Sequence, residues 1–193
     1  MRKLRRVTFN SSLKVIEWYA FSRCFSLEEI DIPSSVREIG SHAFEYCTNL
    51  RSVNLEKSKL KVISASLFER DKQIETVTLP PSIEEIGIYS FSNLEKLKAI
   101  NLPDSVNCIG EYAFEGCESI EEVTIPQSVK IIPDGCFENC INLQSIQFPP
   151  EIDIIHKAAF WRCNNLTVIF MPLNKPIIGP MNLDLQRIFK ANY

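Results

Sequence analysis

Covalent or metal chemistry in this chain would have to come from seven cysteines and two histidines. Five of the thiols, Cys24, Cys47, Cys117, Cys140 and Cys163, share one position, three residues after a phenylalanine; Asp71 and Leu94 hold that position in two further segments. A residue type confined to one place in a recurring pattern fills a small slot in a core, as free cysteine commonly does. Stacked copies would bring such Cα atoms within disulfide range, yet with parallel Cβ vectors that do not face each other, so unpaired buried thiols are expected. Cys136 and Cys140 lack the paired, short-spaced ligand sets of a structural zinc site. Cys136 stands where Ala43, Ala113 and Ala159 do. Cys108 takes a place held elsewhere by Glu38 and Glu85, which predicts exposure. No basic residue stands beside it to lower its pKa and make it a nucleophile. His42 shares a phase with Tyr19, Tyr89 and Tyr112, whereas His156 stands where glycine usually does. Their phases differ, so they cannot form a metal-binding pair, and no Ser-His or Cys-His couple with an orienting acid can be assembled. No phosphate loop or dinucleotide fingerprint is present. The expectation is a non-enzyme with no catalytic residue, no metal and no cofactor.

What must position these side chains is an internal repeat. Phe21, Phe44, Phe68, Phe91, Phe114, Phe137 and Phe160 recur every 23 residues, with one extra residue inserted near Lys57–Lys59. Each is followed by an apolar triplet in fixed register, such as Ile120, Val123 and Ile125, and usually by Pro. A second apolar set, exemplified by Val106 and Ile109, precedes the next aromatic. The segment "LxxIxIP" reads as a short strand in which Ile30 and Ile32 face one way and Glu29 and Asp31 the other. Proline ends each strand without forfeiting a ladder bond further along. One such unit cannot bury its own apolar face, but stacked copies build a continuous core.

The stretches "LEEIDIPSSVREIGSHAFEYCTN", "LKAINLPDSVNCIGEYAFEGCES" and "IEEVTIPQSVKIIPDGCFENCIN" closely resemble the 23-residue BspA-type, Treponema pallidum-like, leucine-rich repeat. The resemblance implies a leucine-rich-repeat solenoid: mainly β, with short parallel strands stacked into a curved right-handed array and turns or short 3-10 segments on the convex side. Residues 1–173 are assigned seven complete repeats plus the strand of an eighth. Residues 174–193 are assigned a degenerate repeat or a short helical cap, with Asn182 as N-cap and Leu185, Ile188 and Phe189 on one face. Proteins of this kind are typically microbial surface or secreted molecules associated with adhesion to host proteins, extracellular matrix or other cells.

In a solenoid each phase becomes a surface column. Beside the strands run Arg5, Glu28, Arg51, Glu75, Lys98, Glu121 and Gln144, an alternation of sign that suits cross-strand pairing. The two outward strand columns are Glu29, Ser52, Thr76, Ala99, Glu122, Ser145, Val168 and Asp31, Asn54, Thr78, Asn101, Thr124, Gln147, Phe170. They are mostly small and uncharged, fit for flat hydrogen-bonded contact, although any solvated strand tolerates the same residues. By resemblance this concave face is the expected binding surface. One further column turns apolar toward the C-terminus, at Cys108, Ile131 and Ile154, and Trp161 replaces the Ser or Glu of other units. A contiguous apolar patch implies a cover, such as the tail around Leu185, a further repeat or a partner.

A net charge of −3 with basic residues concentrated at Arg2, Lys3, Arg5 and Arg6 leaves no broad patch for nucleic acid. No run of about 20 apolar residues is available for membrane insertion, and the basic start lacks the apolar segment of a secretory signal. That combination fits a piece of a longer protein, an unusual export route or an intracellular member. The expected partner is a protein, a host or extracellular-matrix protein included, or a glycan. The alternative is an intracellular leucine-rich-repeat scaffold for protein–protein interaction. Sequons at Asn10 and Asn165 are compatible with secretion, whereas seven unpaired thiols suit a reducing compartment.

Overall fold

Every repeat forms one turn of a β-solenoid, and successive turns are joined by three rows of hydrogen bonds. The computed structural model describes residues 3–170. The first row is built from three-residue parallel strands at Arg6–Thr8, Glu29–Asp31, Ser52–Asn54 and Thr76–Thr78. It resumes at Glu122–Thr124, Ser145–Gln147 and Val168–Phe170. In-register partners such as Glu122, Ser145 and Val168 lie one repeat apart, so the column assignment from sequence holds.

The fifth strand is the exception. Residues 99–101 were expected to continue the row, but only an isolated bridge between Thr76 and Ala99 remains, and the sheet divides into four and three strands. The bond from the Lys98 N–H to the Glu75 carbonyl is correspondingly stretched to 3.5 Å.

The second row consists of two-residue strands, among them Val62–Ile63, Glu85–Ile86 and Cys108–Ile109, hydrogen-bonded in that order. Its glycines are set by close packing rather than by turn geometry. The Gly87 N–H donates to the Ile63 carbonyl at 2.7 Å, and a Cβ on Gly87 would lie 2.6 Å from that same oxygen.

Turns alone form the third row among the described residues, and no helix is present there. Each Phe N–H donates to the carbonyl preceding the next Phe: Phe68 to Ser90 at 2.9 Å, Phe91 to Ala113 at 2.9 Å, Phe114 to Cys136 at 2.9 Å. The backbone enters the left-handed region on both sides of the aromatic, as at Tyr112 (φ 55) and Gly116 (φ 66). Between the rows runs a spine of phenylalanine rings. Phe21 to Phe160 stack nearly parallel, with consecutive centroids 5.3–6.0 Å apart. Phe44, Phe68, Phe91, Phe114 and Phe137 are fully buried. Aliphatic side chains from both strand rows complete one continuous core. Burial of apolar area at roughly 25 cal/mol per Å² is what holds turn to turn.

Candidate functional site

The first strand row presents its alternate side chains to solvent. Glu29, Asp31, Ser52, Asn54, Thr76, Thr78, Asn101, Glu122, Thr124 and Gln147 are exposed and Ser145 is half-buried, while Ile30, Val53, Val77, Val123 and Ile146 point into the core. Phe170 is in register with Gln147, as its phase predicted. The flanking charges behave as cross-strand partners at two steps, Arg5 with Glu28 at 3.9 Å and Lys98 with Glu75 at 3.7 Å. Both pairs are exposed and contribute only about 0–1 kcal/mol each.

Where the fifth strand is reduced to a bridge, the face opens. A groove of about 660 Å³ is lined by Glu56, Thr78, Asn101, Asp104 and Ser105 with apolar walls from Val77, Leu79 and Leu102. A neighbouring recess of about 410 Å³ shares Asn101, Leu102 and Asp104 and reaches Glu122 and Thr124. Three carboxylates and several hydroxyl and amide groups therefore surround one shallow depression, and neither recess is lined by a Lys, Arg or His. The depression is suited to donors: hydroxyls, amides or cationic side chains. Sequence phase located Asn101 and Thr124; it gave no sign that the sheet parts between them.

The apolar column lies on the second strand row. Ile131 and Ile154 are register partners, 44% and 38% exposed, and Cys108 is exposed beside Glu85. Trp161 is 48% exposed, with the Arg162 guanidinium 4.8 Å from its ring centroid. The tail expected to cover this patch, and the assignment of 174–193, fall outside the described residues.

A BspA-type leucine-rich repeat family profile, in six copies, matches residues 1–98 and 61–182. The chain belongs to the BspA-type leucine-rich repeat family. Among solved structures it is similar to a leucine-rich repeat protein of Bacteroides ovatus, at 35% identity and a TM-score of 0.79. That match covers 83% of this chain but 41% of the other, so the chain spans less than half of that relative. The T. pallidum leucine-rich repeat protein is 28% identical, with a TM-score of 0.66 over 99% of this chain and 85% of its own. The pneumococcal vaccine antigen PcpA shares the fold at 17% identity and a TM-score of 0.52. A comparison with curated proteins finds no match. Family members of this kind are generally binding modules and generally non-catalytic. Among the described residues no helix is long and apolar enough to cross a membrane.

The cysteines of this BspA-type array are all free, as expected from their phase. The expectation of a small core slot was incomplete, since four thiols also donate to main-chain carbonyls of the preceding turn: Cys47 to Phe21, Cys117 to Phe91, Cys140 to Phe114 and Cys163 to Phe137, at 3.0–3.2 Å. Burial pushes the Cys117 and Cys163 thiols up to about 12. Burial, then the Glu85 charge, also raises Cys108, which argues against a nucleophile there.

His156 is exposed and far in phase from His42. His42 stacks on Tyr19 with centroids 4.6 Å apart, as its aromatic column predicted. What sequence reading missed is the company His42 keeps: Glu45 and Glu69, one residue after successive phenylalanines, converge on it. The signal was present as a Glu in two consecutive turns beside the one histidine of that column.

Proposed function

We propose that this chain is a non-catalytic binding array of a microbial cell-surface or secreted adhesin, engaging a protein or a glycan through its concave strand face. The observation that carries this reading is the opening at residues 99–101, with Asn101, Thr78, Glu122 and Thr124 around a depression rich in acceptors. Hydroxyl-rich glycans and donor-bearing protein segments, host and extracellular-matrix proteins among them, match that chemistry. The test is binding to glycan and matrix-protein panels by the native chain and by an Asn101→Arg/Thr124→Arg variant. Loss of the captured ligand with an unchanged circular dichroism spectrum supports the concave face. Retained binding overturns it.

A second reading, an intracellular scaffold, is favoured by seven free thiols. Fractionation of the producing cells, with free thiols counted in the native protein, separates the two.

A further inference from the structure

On the side of the turns, opposite in role to the strand face, three ligand-bearing side chains from two successive turns meet. One donor atom each of His42, Glu45 and Glu69 lies within 4.8 Å of the other two. His42 Nδ1 is buried and has no hydrogen-bond partner, although Glu45 Oε2 stands 3.4 Å away. The imidazole packs against the preceding turn. Its ring is stacked within 7° of parallel on Tyr19, and its main-chain N–H is held by the Ala65 carbonyl at 3.1 Å. The carboxylates are 14% and 19% exposed, two like charges side by side in a partly dehydrated place. Their other contacts are long: Ser22 Oγ to Glu45 Oε2 at 3.4 Å and Arg70 Nε to Glu69 Oε1 at 3.5 Å.

We propose that His42, Glu45 and Glu69 form a site for a divalent transition metal of the zinc class. Zinc binds nitrogen at about 2.0–2.1 Å and carboxylate oxygen at about 2.0–2.2 Å, so two such ligands at the tetrahedral angle stand about 3.4 Å apart. That is the separation of His42 Nδ1 and Glu45 Oε2. It is too long for a good hydrogen bond and fits two donors that share an ion. Rotation about the side-chain torsions of Glu69 brings the third donor in. Imidazole in the set selects zinc-like ions over calcium or magnesium, which prefer all-oxygen ligands. Three protein ligands leave one position for water or for a donor from a bound partner. No other turn repeats the set: Glu115 and Glu138 occupy the acidic places further along, with Tyr112 and Gly135 where the histidine would stand.

The two histidines of the chain make the test direct. Zinc chloride is titrated into the full chain while the imidazole nitrogens are followed by NMR, and cobalt chloride is titrated in parallel for its visible spectrum. The expected result is saturable movement of the His42 signals, with His156 unmoved and no thiolate-to-cobalt charge-transfer band. Glu69→Gln should weaken zinc at least about 10-fold, no less than loss of an outer partner does at known sites, and Glu118→Gln, at an exposed residue of another turn, should not. Absence of saturable binding, equal movement of both histidines or a thiolate band overturns the proposal. The native-chain spectra decide the matter even if Glu69→Gln fails to fold.

Discussion

The Cys140 thiol donates to the Phe114 carbonyl at 3.2 Å, joining a side chain of one turn to the main chain of the turn before. Cys47, Cys117 and Cys163 repeat the relationship. The thiols are thus inward, bonded and held protonated by burial. At pH 8 an aromatic disulfide reagent should react quickly with Cys108 alone, the one exposed thiol of the seven. The others should react only in denaturant. Cys108→Ser should abolish the fast phase, and a second fast thiol in the native chain would show that the ladder breathes.

Asp71 holds the cysteine position of its turn, is 0% exposed, and neither carboxyl oxygen has a partner. Burial, only partly offset by the nearby Cys47 backbone N–H, whose hydrogen bond goes to the Phe44 carbonyl, and reinforced by the Glu45 charge, raises its pKa well above the carboxylate range. The sign follows from proton counting. Between the unfolded and the raised folded pKa the native state binds the extra proton, so this group's contribution to stability is complete below about pH 4 and falls as pH rises. Asp71→Cys should stabilise the chain at pH 7 by about 1–3 kcal/mol, the cost of an unpaired buried polar group. It should also flatten the decline measured by urea denaturation between pH 5 and 8. An Asp71→Cys variant no more stable than the native chain would mean that the carboxyl is already satisfied.

Phe114 lies between Phe91 and Phe137, with centroids 5.4 and 5.3 Å away. Phe114→Ala removes the ring from a fully packed column and should cost about 3–5 kcal/mol. Phe114→Leu, which keeps much of the volume, should cost clearly less. Denaturant midpoints of the two variants provide the comparison.

Gly87→Ala would set a methyl group 2.6 Å from the Ile63 carbonyl oxygen. Backbone crowds it on the neighbouring turn, so the strain cannot be relieved by a side-chain rotation, and a loss of about 1–3 kcal/mol is expected. Gly116→Ala meets a different obstacle, its left-handed φ of 66, with the movable Asn93 side chain as nearest neighbour. The smaller loss expected there, about 1 kcal/mol, follows from backbone conformation alone. Thermal melts of the two variants should rank accordingly.

Much of this architecture can be read from residue phase. Phe44 predicts Phe68, the thiol positions predict an interior ladder, and Ser145 beside Glu122 predicts a strand pair; in each case one column suffices, because stacking maps equal phases onto neighbouring places. The reading fails where two phases, or the closure of the ladder itself, decide. His42 meets Glu69 only because a position two before one phenylalanine lies against a position one after the next, a relation of turn shape that periodicity does not encode. Ala99 keeps its column yet loses its strand, since sequence register sets which residues face each other but not whether the ladder closes. Asp71 is legible as an interruption, whereas its protonation state depends on how completely the core excludes water.

Along the spine, the main-chain N–H of each phenylalanine from Phe21 to Phe137 donates to the turn that follows. Phe114 gives its N–H to the Cys136 carbonyl, and its own carbonyl, already bonded by the Cys117 N–H of the same turn, also receives the Cys140 thiol, so it is the N–H that waits on the turn that follows. During synthesis a turn leaving the ribosome therefore stays incomplete until another repeat length has emerged. Assembly becomes vectorial, each newly made segment closing the one ahead of it.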